Sequence, residues 1–248
     1  MQVAYQTAIG KRRSDNQDNV GVFTNRAGVT LAIIADGIGG NQGGDVASDM
    51  AVSHFGHDFE VTDFTHFDAA SAWLKAQVNT ENDLIYKRAQ EFADLKGMGT
   101  TVVIAMVFET ELLIGNIGDS RAYLLRKADF SQLTEDHSLV NELVKRGELS
   151  KQAAKVHPQK NVITRSLGVG TSVQIDLRYQ ELTAGDQLLL CSDGLTNMVS
   201  DSDIMQVLQR PLPLATKCDE LIQMANAAGG LDNISVIIID HEPEVSDR

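Results

Sequence analysis

Four aspartates stand where an apolar run gives way to glycine or asparagine: Asp36-Gly37, Gly118-Asp119, Asp193-Gly194 and Asp232-Asn233. One such pair reads as a turn, because Asp, Asn and Gly are turn formers. The recurrence of the arrangement predicts instead a set of carboxylates held where strands end. Strand ends of a packed sheet can converge on one rim. Carboxylates sharing a small volume repel one another and take up protons unless a cation compensates. Hard oxygen donors select Mg²⁺, Mn²⁺ or Ca²⁺ over zinc. The histidines form no HExxH pair and neither cysteine has zinc-like spacing, which disfavours zinc. A compact DxDxDG loop is missing as well, which disfavours a local Ca²⁺ loop. What remains is a site assembled from distant segments that holds more than one Mg²⁺ or Mn²⁺. Two such ions can activate a water for attack on phosphorus, and Arg13 could grip the phosphate bidentately.

These residues need a scaffold to carry them. The unbroken apolar run 31–35 reads as a strand buried on both faces. It ends in Asp36-Gly37 and Gly39-Gly40, where glycine lets another group approach the backbone closely. Residues 1–28 predict two short strands around the polar segment 11–19, in which Arg13 and Asp18 each read as a solvated loop charge. A helix is expected over 43–55, with His54 packed or exposed rather than a ligand. A longer helix over 67–92 puts Ala70, Leu74, Val78, Ile85, Ala89 and Phe92 on one face, with Trp73 in the core. The β-branched run 101–108, a tight turn and the run 112–117 predict a hairpin. Further strands are expected over 121–126, 186–191 and 234–239, and a helix over 214–228. Ser200 and Asp203 look like an N-cap pair.

Composition narrows the chemistry. The 248 residues carry 34 acids against 21 bases, a formal charge of −13. That argues against a nucleic-acid surface, which needs a basic footprint, and against an anionic membrane. The exception is 138–165, read as two short helices (138–146 and 151–156), where six bases face two acids. Two readings stay open for it: a solvated helix face, or a mobile basic flap that meets an anionic ligand. Cys191 and Cys218 fall in apolar patterns and read as core, with no disulfide framework. The N-terminus lacks an apolar stretch of signal-peptide length, and no run of about 18 apolar residues occurs anywhere, so a cytoplasmic protein is expected. There is no repeat and no Pro-rich linker, so residues 1–248 read as one layered domain.

Six motifs taken together carry a family resemblance: 13–18 (RSDNQD), 35–40 (ADGIGG), 98–101 (MGTT), 116–121 (NIGDSR), 192–195 (SDGL) and 232–235 (DNIS). In this order, almost end to end, they resemble the bacterial metal-dependent Ser/Thr protein phosphatases of the protein phosphatase 2C family. The resemblance implies an α+β fold, an αββα sandwich of two antiparallel sheets flanked by helices. It implies hydrolysis of phospho-Ser and phospho-Thr in proteins by in-line attack of a metal-bridged hydroxide, reversing kinase signalling. Asp36 resembles the carboxylate bridging two metals, the Gly37 carbonyl a ligand of the second, and Asp193 and Asp232 ligands of the first. Asp119 resembles a ligand of a third metal, with Asp193 shared. Arg13 resembles the phosphate clamp, and Asp18 an acid that orients metal-bound water. The implied cofactors are Mn²⁺ or Mg²⁺, two in the core site and a third beside them. The implied partners are phosphoproteins and a cognate Ser/Thr kinase, and the expected state is a monomer. Ile38 stands where many eukaryotic members have a histidine acid, and Gln17 where some members have a glutamate. The expected proton donor is therefore a metal-bound water, with His137 read as a residue of a surface turn.

Overall fold

The computed structural model describes residues 1–39 and 43–241; Gly40 and Asn41 of the glycine-rich run lie outside them, as do residues 242–248. In chain order the strands are β1 (Gln2–Ala8), β2 (Asp18–Thr24), β3 (Thr30–Ile38), β4 (Gly99–Thr100), β5 (Val102–Val107), β6 (Glu111–Ile117), β7 (Arg121–Arg126), β8 (Asp129–Gln132), β9 (Asp176–Glu181), β10 (Asp186–Cys191) and β11 (Ile234–His241). The helices are α1 (Gly44–Glu60), α2 (Phe67–Glu91), α3 (Leu139–Lys145), α4 (Lys151–Lys155), α5 (Asp193–Thr196), α6 (Asp201–Gln209) and α7 (Leu214–Ala227).

The strands form two antiparallel sheets, β1-β11-β10-β7-β8 and β2-β3-β5-β6-β9, with β4 paired to the end of β3. Side chains alternate between the faces of a strand, and here both faces are covered. On β3, Leu31, Ile33 and Ala35 pack under α1 and α2, while Ala32 and Ile34 pack between the sheets. On β10, Leu189 and Cys191 face α6 and α7, while Leu188 and Leu190 face the other sheet. Three apolar layers therefore separate four layers of structure, the expected αββα sandwich. A strand buried on both faces needs a continuous apolar run, which is why β3, β5, β10 and β11 are the most apolar segments of the chain.

Several expected boundaries move, each for a local reason. β3 continues through Ile38 because Gly37 and Ile38 pair with Thr100 and Gly99, so Asp36-Gly37 lies inside a strand and is not a turn. Asp193 opens the short helix α5 instead of a turn. α1 extends to Glu60, since Phe59 continues the buried stripe of Ala47, Ala51 and Phe55. The strands β8 and β9 escape a pattern search: both are edge strands whose side chains are mostly exposed or half-buried, so no apolar alternation marks them. His54 Nδ1 lies 2.8 Å from Glu81 Oε2 and joins α1 to α2. Trp73 packs edge-on against Phe55 and Phe59, both cysteines are buried and free, and Ser200 Oγ caps α6 by accepting from the Asp203 N–H.

Ile237 is fully buried between the sheets. Ile237→Ala should lower the unfolding free energy by about 2–5 kcal/mol in urea titrations. A loss below about 1 kcal/mol would mean that the sheets do not depend on this contact for packing.

Candidate active site

At one end of the sandwich the inward-facing rows change chemistry. The row Val20, Val22 on β2 begins with Asp18, and the row Ala32, Ile34 on β3 continues to Asp36. Ile114 is followed by Asn116, and Leu188 and Leu190 by Ser192. Val103 and Ala105 are preceded by Thr101, Ala122 and Leu124 by Ser120, and Ile237 and Ile239 by Ser235. Antiparallel pairing brings these ends to one edge: Asp18 lies opposite Asp36 in the β2–β3 ladder. The alternation that packs the core thus also plants hydroxyls, amides and carboxylates between the sheets.

Hydrogen bonds fix this polar rim. Asp18 Oδ2 accepts from Ser192 Oγ at 2.8 Å and from Ser235 Oγ at 2.7 Å, joining β2 of one sheet to β10 and β11 of the other. The Asp36 N–H donates to Thr101 Oγ1, while its carbonyl accepts from the Thr101 N–H and from Thr100 Oγ1. Thr101 Oγ1 also meets Ser120 Oγ at 2.8 Å. The Gly37 N–H donates to the Gln17 carbonyl, and a Cβ on Gly37 would lie 2.1 Å from the Gly44 oxygen, so only glycine fits under the start of α1. Asn233 sews the Arg13 loop to β11: its Nδ2 donates to the carbonyls of Ile9 and Asp15, and its Oδ1 accepts from the Gln17 N–H. Arg13 then reaches Asp232 Oδ2 at 2.8 Å. Asn197, just past the end of α5, holds Asp193 Oδ2 at 2.8 Å and takes Lys160 Nζ at 3.2 Å on its other side.

The electrostatics follow from this crowding. Burial pushes the Asp18 carboxyl up to about 7; the Ser235 and Ser192 hydroxyls oppose the rise and the charges of Asp193 and Asp232 add to it. Burial, then Asp18, Asp193, Asp119 and Asp232, hold Asp36 well above the ordinary carboxyl range. Asp119 is raised by burial and by Asp193 and Asp136. Asp193 is raised to about 6 by burial and Asp232, against the pull of Arg121 and Arg13. Five aspartates therefore act on one another through one field. Among the described residues no three or more acidic, histidine or thiol groups stand close enough to hold a metal ion by themselves. Two buried oxygens of the set, Asp18 Oδ1 and Asp119 Oδ1, have no hydrogen-bond partner. Unpartnered anionic oxygens in a low-dielectric cleft are what a hard divalent cation satisfies, so the donor set fits Mg²⁺ or Mn²⁺.

All the expected residues, Arg13, Asp18, Asp36, Gly37, Asp119, Asp193 and Asp232, lie on this rim. Two readings are corrected. Asp18 is not a solvated loop charge; it is 4% exposed and starts β2. His137 is not a surface turn residue; it is 3% exposed, and Nδ1 accepts from the Gly118 N–H while Nε2 meets Asp176 Oδ2 at 3.0 Å. Ser192, Ser235, Thr101, Asn197 and Asn233 had no assigned part, although counting two residues past the last inward apolar side chain finds the first three.

Comparison with known proteins agrees with this geometry. A family model described as protein phosphatase 2C matches residues 7–234. The chain is 42% identical over 244 residues to the protein phosphatase PhpP of Streptococcus pneumoniae, covering 98% of this chain and 99% of that one. The solved serine/threonine phosphatase of S. agalactiae superposes with a TM-score of 0.94 at 44% identity, over 97% of this chain and 99% of the other. The catalytic domain of the serine/threonine phosphatase PstP, solved with two manganese ions, superposes with a TM-score of 0.83 at 35% identity, over 96% of this chain and 97% of that one. The carboxylate rim between two packed sheets and these full-length likenesses lead to one conclusion: the chain belongs to the protein phosphatase 2C family of serine/threonine protein phosphatases.

Proposed function

We propose that the rim of Asp36, Asp193, Asp232, Asp119 and Gly37 holds divalent cations and that the cleft beside it hydrolyses phosphoserine and phosphothreonine in proteins. The observation that carries this reading is the mutual field of the aspartates, with the carboxyls of Asp18, Asp36, Asp119 and Asp193 raised by burial and by neighbouring carboxylates. Asp36, Asp193, Asp232 and the Gly37 carbonyl would hold two ions, Mn²⁺ or Mg²⁺; Asp119, with Asp193, would hold a third. When bound, such ions supply a water of lowered pKa and neutralise the phosphate's charge.

The remaining work falls to the chain's own groups. Among the described residues Arg13 makes one side-chain hydrogen bond, to Asp232, so its other guanidinium donors are available to a phosphate at the rim. Asp18, pinned through Oδ2 by Ser192 and Ser235, presents Oδ1 as a fixed acceptor for a water proton. Among the described residues no side chain stands out as a general acid. Ile38 cannot donate, and both ring nitrogens of His137 are engaged inside the protein. The leaving serine or threonine oxygen therefore takes its proton from water in the cleft. Residues 138–165 act as the flap in this proposal. Lys160 already spans from it to Asn197 and so to Asp193, while Arg146, Lys151 and Lys155 make no ion pair among the described residues. The proposal includes a phosphoprotein substrate set by an opposing kinase, cytoplasmic action and a monomer. One chain supplies the whole rim, and the two free, buried thiols suit a reducing compartment. No helix of the described residues is long and apolar enough to cross a membrane.

Asp36→Asn, Asp193→Asn and Asp232→Asn should each cut phosphate release from a phosphothreonine peptide about 100-fold or more, and each should weaken Mn²⁺ binding in calorimetry. Turnover that survives exhaustive chelation would refute the metal assignment. Arg13→Ala should act mainly on KM, losing about 1.5–3 kcal/mol for a charge-assisted pair. An unchanged KM for both peptide and aryl phosphate would place Arg13 outside the phosphate site.

A further inference from the structure

His137 sits between two segments that the proposed chemistry needs. On one side it clamps Gly118, the residue before Asp119. The His137 N–H donates to the Gly118 carbonyl at 2.9 Å, and the Gly118 N–H donates back to His137 Nδ1 at 3.0 Å. The ring proton is therefore on Nε2, which donates to Asp176 Oδ2 at 3.0 Å. On the other side are residues returning from the basic 138–165 stretch. Thr164 N–H donates to the His137 carbonyl at 2.8 Å, Arg165 pairs with Asp176 Oδ1 at 2.5 Å, and Ser138 bridges Ile163.

Gly118 can be held this way only as glycine. Its φ is +105°, and a Cβ there would lie 2.6 Å from Thr101 Cβ. The loop is thus gripped between His137 and Thr101, and Thr101 Oγ1 in turn accepts from the Asp36 N–H. Asp119 has little else to aim it. Its Oδ1 is buried without a hydrogen-bond partner. The direction of that carboxylate is therefore set by the backbone at Gly118.

We infer that His137 is a positioning residue. It fixes the Gly118–Asp119 backbone so that the Asp119 carboxylate faces the cleft, and through Asp176 and Arg165 it links that carboxylate to the return limb of the flap. A merely structural histidine would satisfy buried backbone anywhere in the turn; this one bonds both the N–H and the carbonyl of the single residue that orients Asp119. The inference rests on the reading of Asp119 as a cation ligand.

The test is the Mn²⁺ dependence of phosphopeptide hydrolysis by the full chain, with thermal unfolding as a check on folding. His137→Leu removes both ring nitrogens, whereas His137→Asn returns an amide oxygen near the place of Nδ1. The leucine variant should need about 10-fold more Mn²⁺ for half-maximal kcat, the usual range for losing a supporting partner of a ligand. Its KM for the peptide should not change, and the asparagine variant should recover most of the loss. A leucine variant with wild-type Mn²⁺ dependence, or an asparagine variant no better than leucine, would overturn the inference. Should His137→Leu not fold, Asp176→Ala, at a half-exposed position, carries the test: a smaller shift in the same direction supports the link and no shift overturns it. Asp119→Ala separates the two claims. If it shifts the Mn²⁺ dependence and His137→Leu does not, only the positioning role fails. If Asp119→Ala leaves the dependence at wild type, the reading of Asp119 as a ligand fails.

Discussion

Two sheets pressed face to face share an interface that must end, and in this chain one end of it is made of hydroxyls, amides and carboxylates. The period of two along each strand gives the inward rows no freedom at that edge. If Leu188 and Leu190 face the opposite sheet, Ser192 does too; if Ala32 and Ile34 do, so does Asp36. A carboxyl forced into that position loses hydration and meets its neighbours at short range. The rise of the Asp18 carboxyl to about 7, driven first by burial, reflects that conflict. The fold stores this repulsion at one edge, where a divalent cation would relieve it. Stability and chemistry are therefore in opposition at the rim, as expected where a site is built from groups the core would rather exclude.

The connections around the rim reduce its freedom. Asn233 closes the N-terminal loop over the start of β11 and so carries Arg13 to Asp232. Thr100 and Thr101 bind the backbone of Asp36 on one side, and Thr100 pairs with Leu167 on the other. The return limb of the proposed flap is tied to segments that bear carboxylates. Lys160 reaches Asp193 through Asn197, and residues 162–167 lie against His137 and Thr100.

Much of this was legible in the residues alone. The aspartates announced themselves by repetition at the ends of apolar runs, and the buried strands by their length and their valines, isoleucines and leucines. Counting went wrong where pairing partners are remote: β4 captures Gly37 and Ile38 across about 60 residues of sequence, so a strong turn signal is overridden by a strand. Edge strands β8 and β9 bury too little to leave a pattern. Asp18 and His137 look like loop residues because their neighbours are polar. Their burial comes from Ser192, Ser235, Gly118 and Asp176, none of which is close to them in sequence.

The claim that repulsion among buried carboxylates is the stored cost of the site can be tested without any substrate. Carboxyls raised by folding bind protons in the native state that the unfolded chain has released. Their contribution to stability is complete below the unfolded value near 3.8 and is lost as pH rises through folded values of about 6 for Asp193 and about 7 for Asp18. Urea unfolding of the chelated protein between pH 5 and pH 8 should therefore show stability falling as pH rises, with added Mn²⁺ restoring far more at pH 8 than at pH 5. A chelated protein whose stability is flat or rises across that window, with a Mn²⁺ effect independent of pH, would contradict the account.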